Sequence, residues 1–172
     1  MYNPEQENAP MTGADLATMY EFSYAAIERN LDGVTHEESL RTPQPAGCNL
    51  NWVLGQVVVT RGTALTLSGK TPVLSGDAAT AYRRAADPNV PGKVLDLATL
   101  RGLLQDSQQQ LIPALAAMED GQLAAPLPEK FRRPPLTGSV GDSLARLQNH
   151  EMYHAGQLGL LRRILGKEGA IR

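Results

Sequence analysis

The sequence predicts an all-α protein, a four-helix bundle with long connections rich in proline and glycine. Three observations point there. Aromatic residues make up only 5% of the chain, so the core must be built from Leu, Val, Ile, Ala and Met, which favours packed helices over a β-sandwich. Apolar residues recur at helical spacing in four stretches, each preceded by a residue suited to cap a helix. Proline and glycine gather between the stretches, where they break regular structure. A length of 172 residues fits one domain spanning 1–172.

The first helix is predicted over 12–31. Thr12 is its cap, and Asp15 stands three residues on, at capping-box spacing. Leu16, Met19, Tyr20, Ser23, Tyr24, Ile27 and Leu31 share one stripe, and Asp32-Gly33 closes it. The second is predicted over 50–68, after Asn49, a strong N-cap. Leu50, Val53, Leu54, Val57, Ala64 and Leu65 form one stripe; Trp52, Gln56, Val59 and Thr63 form its neighbour. A helix apolar on most sides belongs at the centre. Val57-Val58-Val59 alone also suits a strand, but the longer pattern and the cap favour a helix.

The third helix is predicted over 97–118, capped by Asp96, with Leu97, Leu100, Leu104, Leu111 and Leu115 in phase. Pro113 removes a backbone hydrogen bond there and should bend or end it. The fourth is predicted over 140–165, with Ser139 as cap and Asp142 three residues later. Leu144, Leu147, Leu158, Leu161 and Leu165 form its stripe. Arg162, Arg163 and Lys167 suit the C-terminal end of its dipole, and Gly166 stops it. The stretch 70–95, with Pro72, Gly76, Pro88, Pro91 and Gly92, is expected to wrap the surface. The stretch 121–138, with Pro126, Pro128, Pro134 and Pro135, is expected to be irregular.

Sixteen Lys+Arg stand against eighteen Asp+Glu, a formal charge of −2. The basic residues are scattered as pairs, such as Arg83-Arg84 and Arg132-Arg133. A domain that grips a phosphate backbone carries a basic excess, so no nucleic-acid partner is expected. Cys48 is the only cysteine, which excludes a disulfide framework and a cysteine-based zinc site. Residues 1–8 are polar and acidic, unlike a signal peptide. No apolar run approaches the roughly 20 residues that span a bilayer. A soluble cytoplasmic protein is expected.

The three histidines are His36, His150 and His154. Residues four apart lie about 40° from each other around a helix, so His150 and His154 project from one side, joined by Gln157. His154 also lies near the line of Leu147, Leu158 and Leu161, which turns the pair toward the bundle interior or its edge. Tyr153 falls on the side opposite His154's stripe. Two imidazoles one turn apart can share a divalent metal. They can equally be helix histidines bonded to carboxylates or backbone. A metal site needs a third ligand from another element.

The run His150-Glu151-Met152-Tyr153-His154-Ala155-Gly156-Gln157-Leu158, followed by Leu161-Arg162-Arg163, resembles the closing helix of the DinB-like (damage-inducible) superfamily of four-helix bundles. Asn51-Trp52-Val53-Leu54-Gly55-Gln56-Val57, with Arg61, resembles that family's second helix, and Glu37-Glu38-Ser39-Leu40 with Pro43 and Gly47 its usual approach. The resemblance implies a metal site of three histidines, one from the second helix and two from the fourth. His150 and His154 match two of them. The third falls on Gln56, whose neutral carbonyl oxygen binds zinc or nickel more weakly than an imidazole. A Gln56–His150–His154 site is therefore expected to hold zinc or nickel weakly or to have lost it. His36, in the loop before the second helix, and Cys48 are the other candidate donors, and Cys48 sits too far back along the axis.

Gln56 also reads as a core amide bonded to His150 or His154. Glu151 reads as a group that orients a ligand or acts as general base, or, the favoured reading, as the ion-pair partner of Arg61. The resemblance implies metal-dependent S-transferase, isomerase or hydrolase chemistry with a low-molecular-weight thiol as co-substrate, and a homodimer. The alternative is a bundle that has lost its metal and serves as a small-molecule-binding or dimeric stress-response protein.

Overall fold

The computed structural model describes residues 11–44, 47–83, 86, 94–133 and 136–170. Residues 1–8, Arg84, Pro88, Pro91, Gly92, Pro134 and Pro135, used in the expectations above, lie outside them. The described residues are helical, with no strand beyond isolated bridges. In order they form α1 (Gly13–Leu31), α2 (His36–Ser39), α3 (Leu50–Leu67), α4 (Gly76–Thr80), α5 (Leu97–Ala116), α6 (Asp120–Ala124) and α7 (Val140–Ile164). The long helices α1, α3, α5 and α7 build the bundle, each close to its predicted range. No helix among the described residues is long and apolar enough to cross a membrane.

The caps form as the sequence implies. Thr12 with Asp15 and Ser139 with Asp142 close full capping boxes, and Asn49 accepts from the Trp52 N–H at 2.8 Å. Each cap contributes on the order of 1 kcal/mol. Pro113 is accommodated inside α5, which ends one turn later at Ala116, short of the predicted 118.

α1 packs on α5 and α7, and α3 packs on the same two. Direction follows from the contacts. Tyr20, Ser23 and Asn30 bond to Leu144, Glu151 and Ala155 in turn, so α1 and α7 run parallel. Asn51 reaches Leu95 and Arg61 reaches Ser107, so α3 and α5 also run parallel. Arg101 meets Glu28 while Gly13 abuts the Leu115 carbonyl, so the two pairs oppose each other. The chain leaving α3 must therefore travel the length of the bundle before α5 begins.

That requirement corrects the expectation for 70–95. Besides forming α4, the segment sends Ala79 and Tyr82 into the core, 4% and 0% exposed. Tyr82 lies over Gly55, where no Cβ would fit. Its hydroxyl donates to Asn51 Oδ1 and accepts from the Leu95 N–H. The stretch 121–138 is likewise more ordered than expected, with α6, a 3-10 turn over Glu129–Phe131, and Leu127 and Leu136 buried.

The core is two apolar clusters stacked along the bundle axis. One takes residues from Ile27, Leu54, Leu100 and Leu158; the other from Leu16, Leu65, Leu111 and Leu144. On every long helix buried polar residues stand between them: Ser23, Arg61, Ser107 and, on α7, Gln148, Glu151 and His154.

Candidate functional site

Arg61 and Glu151 fill the middle of that polar layer, with side chains 0% and 2% exposed. Arg61 Nε donates to Glu151 Oε2 at 2.8 Å and Nη2 to Oε1 at 2.7 Å, a two-pronged pair. Ser23 donates to Oε1 at 2.5 Å, and Arg61 Nη1 donates to Ser107 Oγ and Gln108 Oε1. The guanidinium carbon lies 5.7 Å from the ring centres of Tyr20 and Tyr24. Burial first, then the Glu151 charge, pushes the Tyr20 phenol well above its ordinary range, so its hydroxyl stays a donor, to the Leu144 carbonyl. The favoured reading of Glu151 holds. Both carboxylate oxygens are engaged, which leaves Glu151 poorly suited to act as a base.

One residue before Glu151 on α7 and three after it, His150 and His154 come together. His154 is 6% exposed and His150 lies on the exposed side. Their rings meet edge to face, centroids 4.4 Å apart, and the two Nε2 atoms are 3.2 Å apart. Two ligands of one tetrahedral zinc, at the usual zinc–nitrogen lengths, stand about 3.3 Å apart. An N–H···N hydrogen bond has a similar length. Burial first, against a bond from Gln157 and the Glu151 charge, lowers the His154 pKa, so the ring is neutral at neutral pH, as a metal ligand must be.

Gln56, 8% exposed, donates its side-chain nitrogen to the Tyr82 carbonyl. Tyr82 thus takes one of the amide's two N–H groups, a partner the sequence did not suggest, and leaves the other and Oε1 for a further partner. α3 and α7 are antiparallel and level at Arg61 and Glu151. Five residues back from Arg61 is Gln56 and five on from Glu151 is Gly156, so Gln56 stands near the level of His154.

The other candidate donors lie elsewhere. His36 is in α2, not a loop, and its Nδ1 accepts the Leu97 N–H at 3.2 Å. That nitrogen is then unprotonated, so the Asp96 carboxylate 3.7 Å away is a neighbour rather than an ion-pair partner. Cys48 packs against the first apolar cluster, and burial raises its thiol pKa. Among the described residues no three His, Cys, Asp or Glu side chains gather as a metal site would need. The two imidazoles thus fit a divalent ion, and a third position would have to be filled by a donor other than His, Cys, Asp or Glu of the described residues.

Two participants escaped the sequence reading. Tyr82 had no signal, being a lone tyrosine in an irregular stretch. Gln157 was placed on the histidine side by spacing, but its bond to His154 Nδ1 at 2.6 Å was not foreseen. Tyr153 faces outward, as its phase implied. It is 64% exposed, yet its ring lies edge-on to His154 at 5.4 Å, and its hydroxyl accepts from Gln157 Nε2.

A helical bundle whose last long helix brings a His-x-x-x-His pair together defines a recognisable class. The sequence model of the DinB superfamily matches residues 19–158, and the chain belongs to that superfamily. Its fold is similar to the crystal structure of a conserved protein from Enterococcus faecalis, with a TM-score of 0.69 and 20% identity over 92% of this chain and 100% of that one. No curated protein matches the chain.

Proposed function

We propose that this DinB-superfamily bundle holds a divalent metal, zinc or nickel, weakly between His150 and His154, with Gln56 Oε1 as third donor. The observation that carries the reading is the 3.2 Å convergence of the two Nε2 atoms. A metal bound there would lower the pKa of a coordinated thiol or water and so supply a nucleophile for S-transfer or hydrolysis. The chain's own groups set the surroundings. Tyr82 holds the Gln56 amide nitrogen, and Arg61 neutralises Glu151.

The test is metal titration of protein purified without a histidine tag. The expected result is weak, saturable zinc or nickel uptake, lost in His154→Ala and tightened on the order of tenfold or more in Gln56→His. Absence of uptake by the parent protein overturns the reading.

A second reading is a metal-free bundle that binds a small molecule or acts as a homodimer in a stress response. The same separation favours it, because it also suits a direct hydrogen bond between the imidazoles. The outward Tyr153, Leu160 and Ile164 of α7, each more than half exposed, offer a face for a second copy. Sedimentation at a series of concentrations reads the dimer directly.

A further inference from the structure

Tyr153, Gln157, His154 and His150 form one continuous hydrogen-bonded line along α7. Gln157 Nε2 donates to the Tyr153 hydroxyl at 3.1 Å. With the amide so placed, Oε1 faces His154 Nδ1, 2.6 Å away. An amide oxygen only accepts, so Nδ1 must carry the proton. In a neutral ring the lone pair is then on Nε2, the atom that points at His150. Without an acceptor at Nδ1, neutral imidazole divides between two tautomers, and in one of them the Nε2 lone pair is blocked by a proton.

We propose that Gln157 is a positioning residue: it holds His154 as the Nδ1–H tautomer and so presents the Nε2 lone pair to whatever His150 and His154 share. Helical spacing puts the acceptor one turn from the ring it orients. The same task at metal centres falls to carboxylates and backbone carbonyls, whose removal weakens metal binding about ten- to hundredfold. The consequence for affinity rests on the metal site proposed above; the tautomer does not.

The experiment separates the two. Nitrogen–proton correlation spectra of the histidine rings, taken on metal-free protein at mildly alkaline pH, report which nitrogen is protonated. The parent is expected to show His154 protonated at Nδ1. Gln157→Leu is expected to lose that preference, and Gln157→Glu, which still accepts, to keep it. Gln157 is a half-buried position on the outer side of α7, so the fold tolerates both changes. An unchanged tautomer in Gln157→Leu, or its loss in both variants, overturns the proposal. Zinc titration of the same samples is expected to show about ten- to hundredfold weaker binding in Gln157→Leu than in the parent. Equal zinc affinity despite a lost tautomer overturns the link to binding. A parent that takes up no zinc, with a tautomer that still follows residue 157, refutes the metal site and leaves the positioning role standing.

Discussion

Arg61 and Glu151 are a buried pair of opposite charges at the centre of the bundle. Each is desolvated, and each is tolerable only because the other is there, with Ser23, Ser107 and Gln108 taking further hydrogen bonds. Removing one partner leaves a buried charge uncompensated, at a cost of roughly 3–5 kcal/mol. Glu151→Gln is therefore expected to lower stability by about that amount, read as a shift of the urea midpoint at constant slope. Replacing both residues by methionine is expected to recover most of the loss, since apolar groups of similar volume suit the two flanking clusters. If the double variant is no more stable than the single one, the pair is not the source of the cost. This pairing was legible because both residues fall on inward phases of helices with good caps. The role of Gln56 was not, because a glutamine inside an apolar stripe can donate to any nearby carbonyl, and its partner, Tyr82, comes from a segment without periodicity.

Among the elements, α7 shows how much a short motif decides. Ser139 and Asp142 satisfy each other's backbone N–H groups, and the bond from the Ser139 backbone is the first cause of a lowered Asp142 pKa, below its ordinary 3.8. A carboxylate held below its unfolded value stabilises the fold fully above that value. The stabilisation is lost as pH falls through the lower, folded value. Asp15 of α1 and Glu38 of α2 shift the same way through the same motif. Stability is thus expected to fall with acidification below the ordinary carboxylate range, and Asp142→Asn to flatten part of that fall. A variant with the parent's slope, measured by urea midpoints across this range, would assign the acid sensitivity to other groups. The α3 surface under Tyr82 depends on an absence of atoms. A Cβ at Gly55 meets the Tyr82 ring, so Gly55→Ala is expected to cost about 1–3 kcal/mol by overpacking, and Tyr82→Ala in that background to relieve the clash. Caps and periodicity put all four long helices in view of the sequence, whereas Gly55 looked like any helical glycine. A close approach involves two segments, and only one of them was patterned.

For the whole molecule, the parallel run of α3 and α5 explains the long connection that the composition showed without accounting for it. Two parallel neighbours begin at the same end of the bundle. The chain must return along the full length of α3, about 27 Å for its 18 residues at the α-helical rise. Proline and glycine counts showed that this stretch is not a long helix; they could not show that it crosses the bundle, because direction is set by packing between helices far apart in sequence. The geometry makes the crossing testable. An extended chain covers at most about 3.5 Å per residue, so replacing residues 69–95 with a Gly/Ser linker of about six residues cannot bridge the distance. That variant is expected to lose the native bundle, seen as a non-cooperative thermal melt. A linker of about fourteen residues spans the gap with slack. It is expected to restore a cooperative transition at a lower melting temperature, because Tyr82 and its bonds to Gln56, Asn51 and Leu95 are gone. If the six-residue linker melts as cooperatively as the parent, α3 and α5 are not parallel and the order of helices around the bundle must be redrawn.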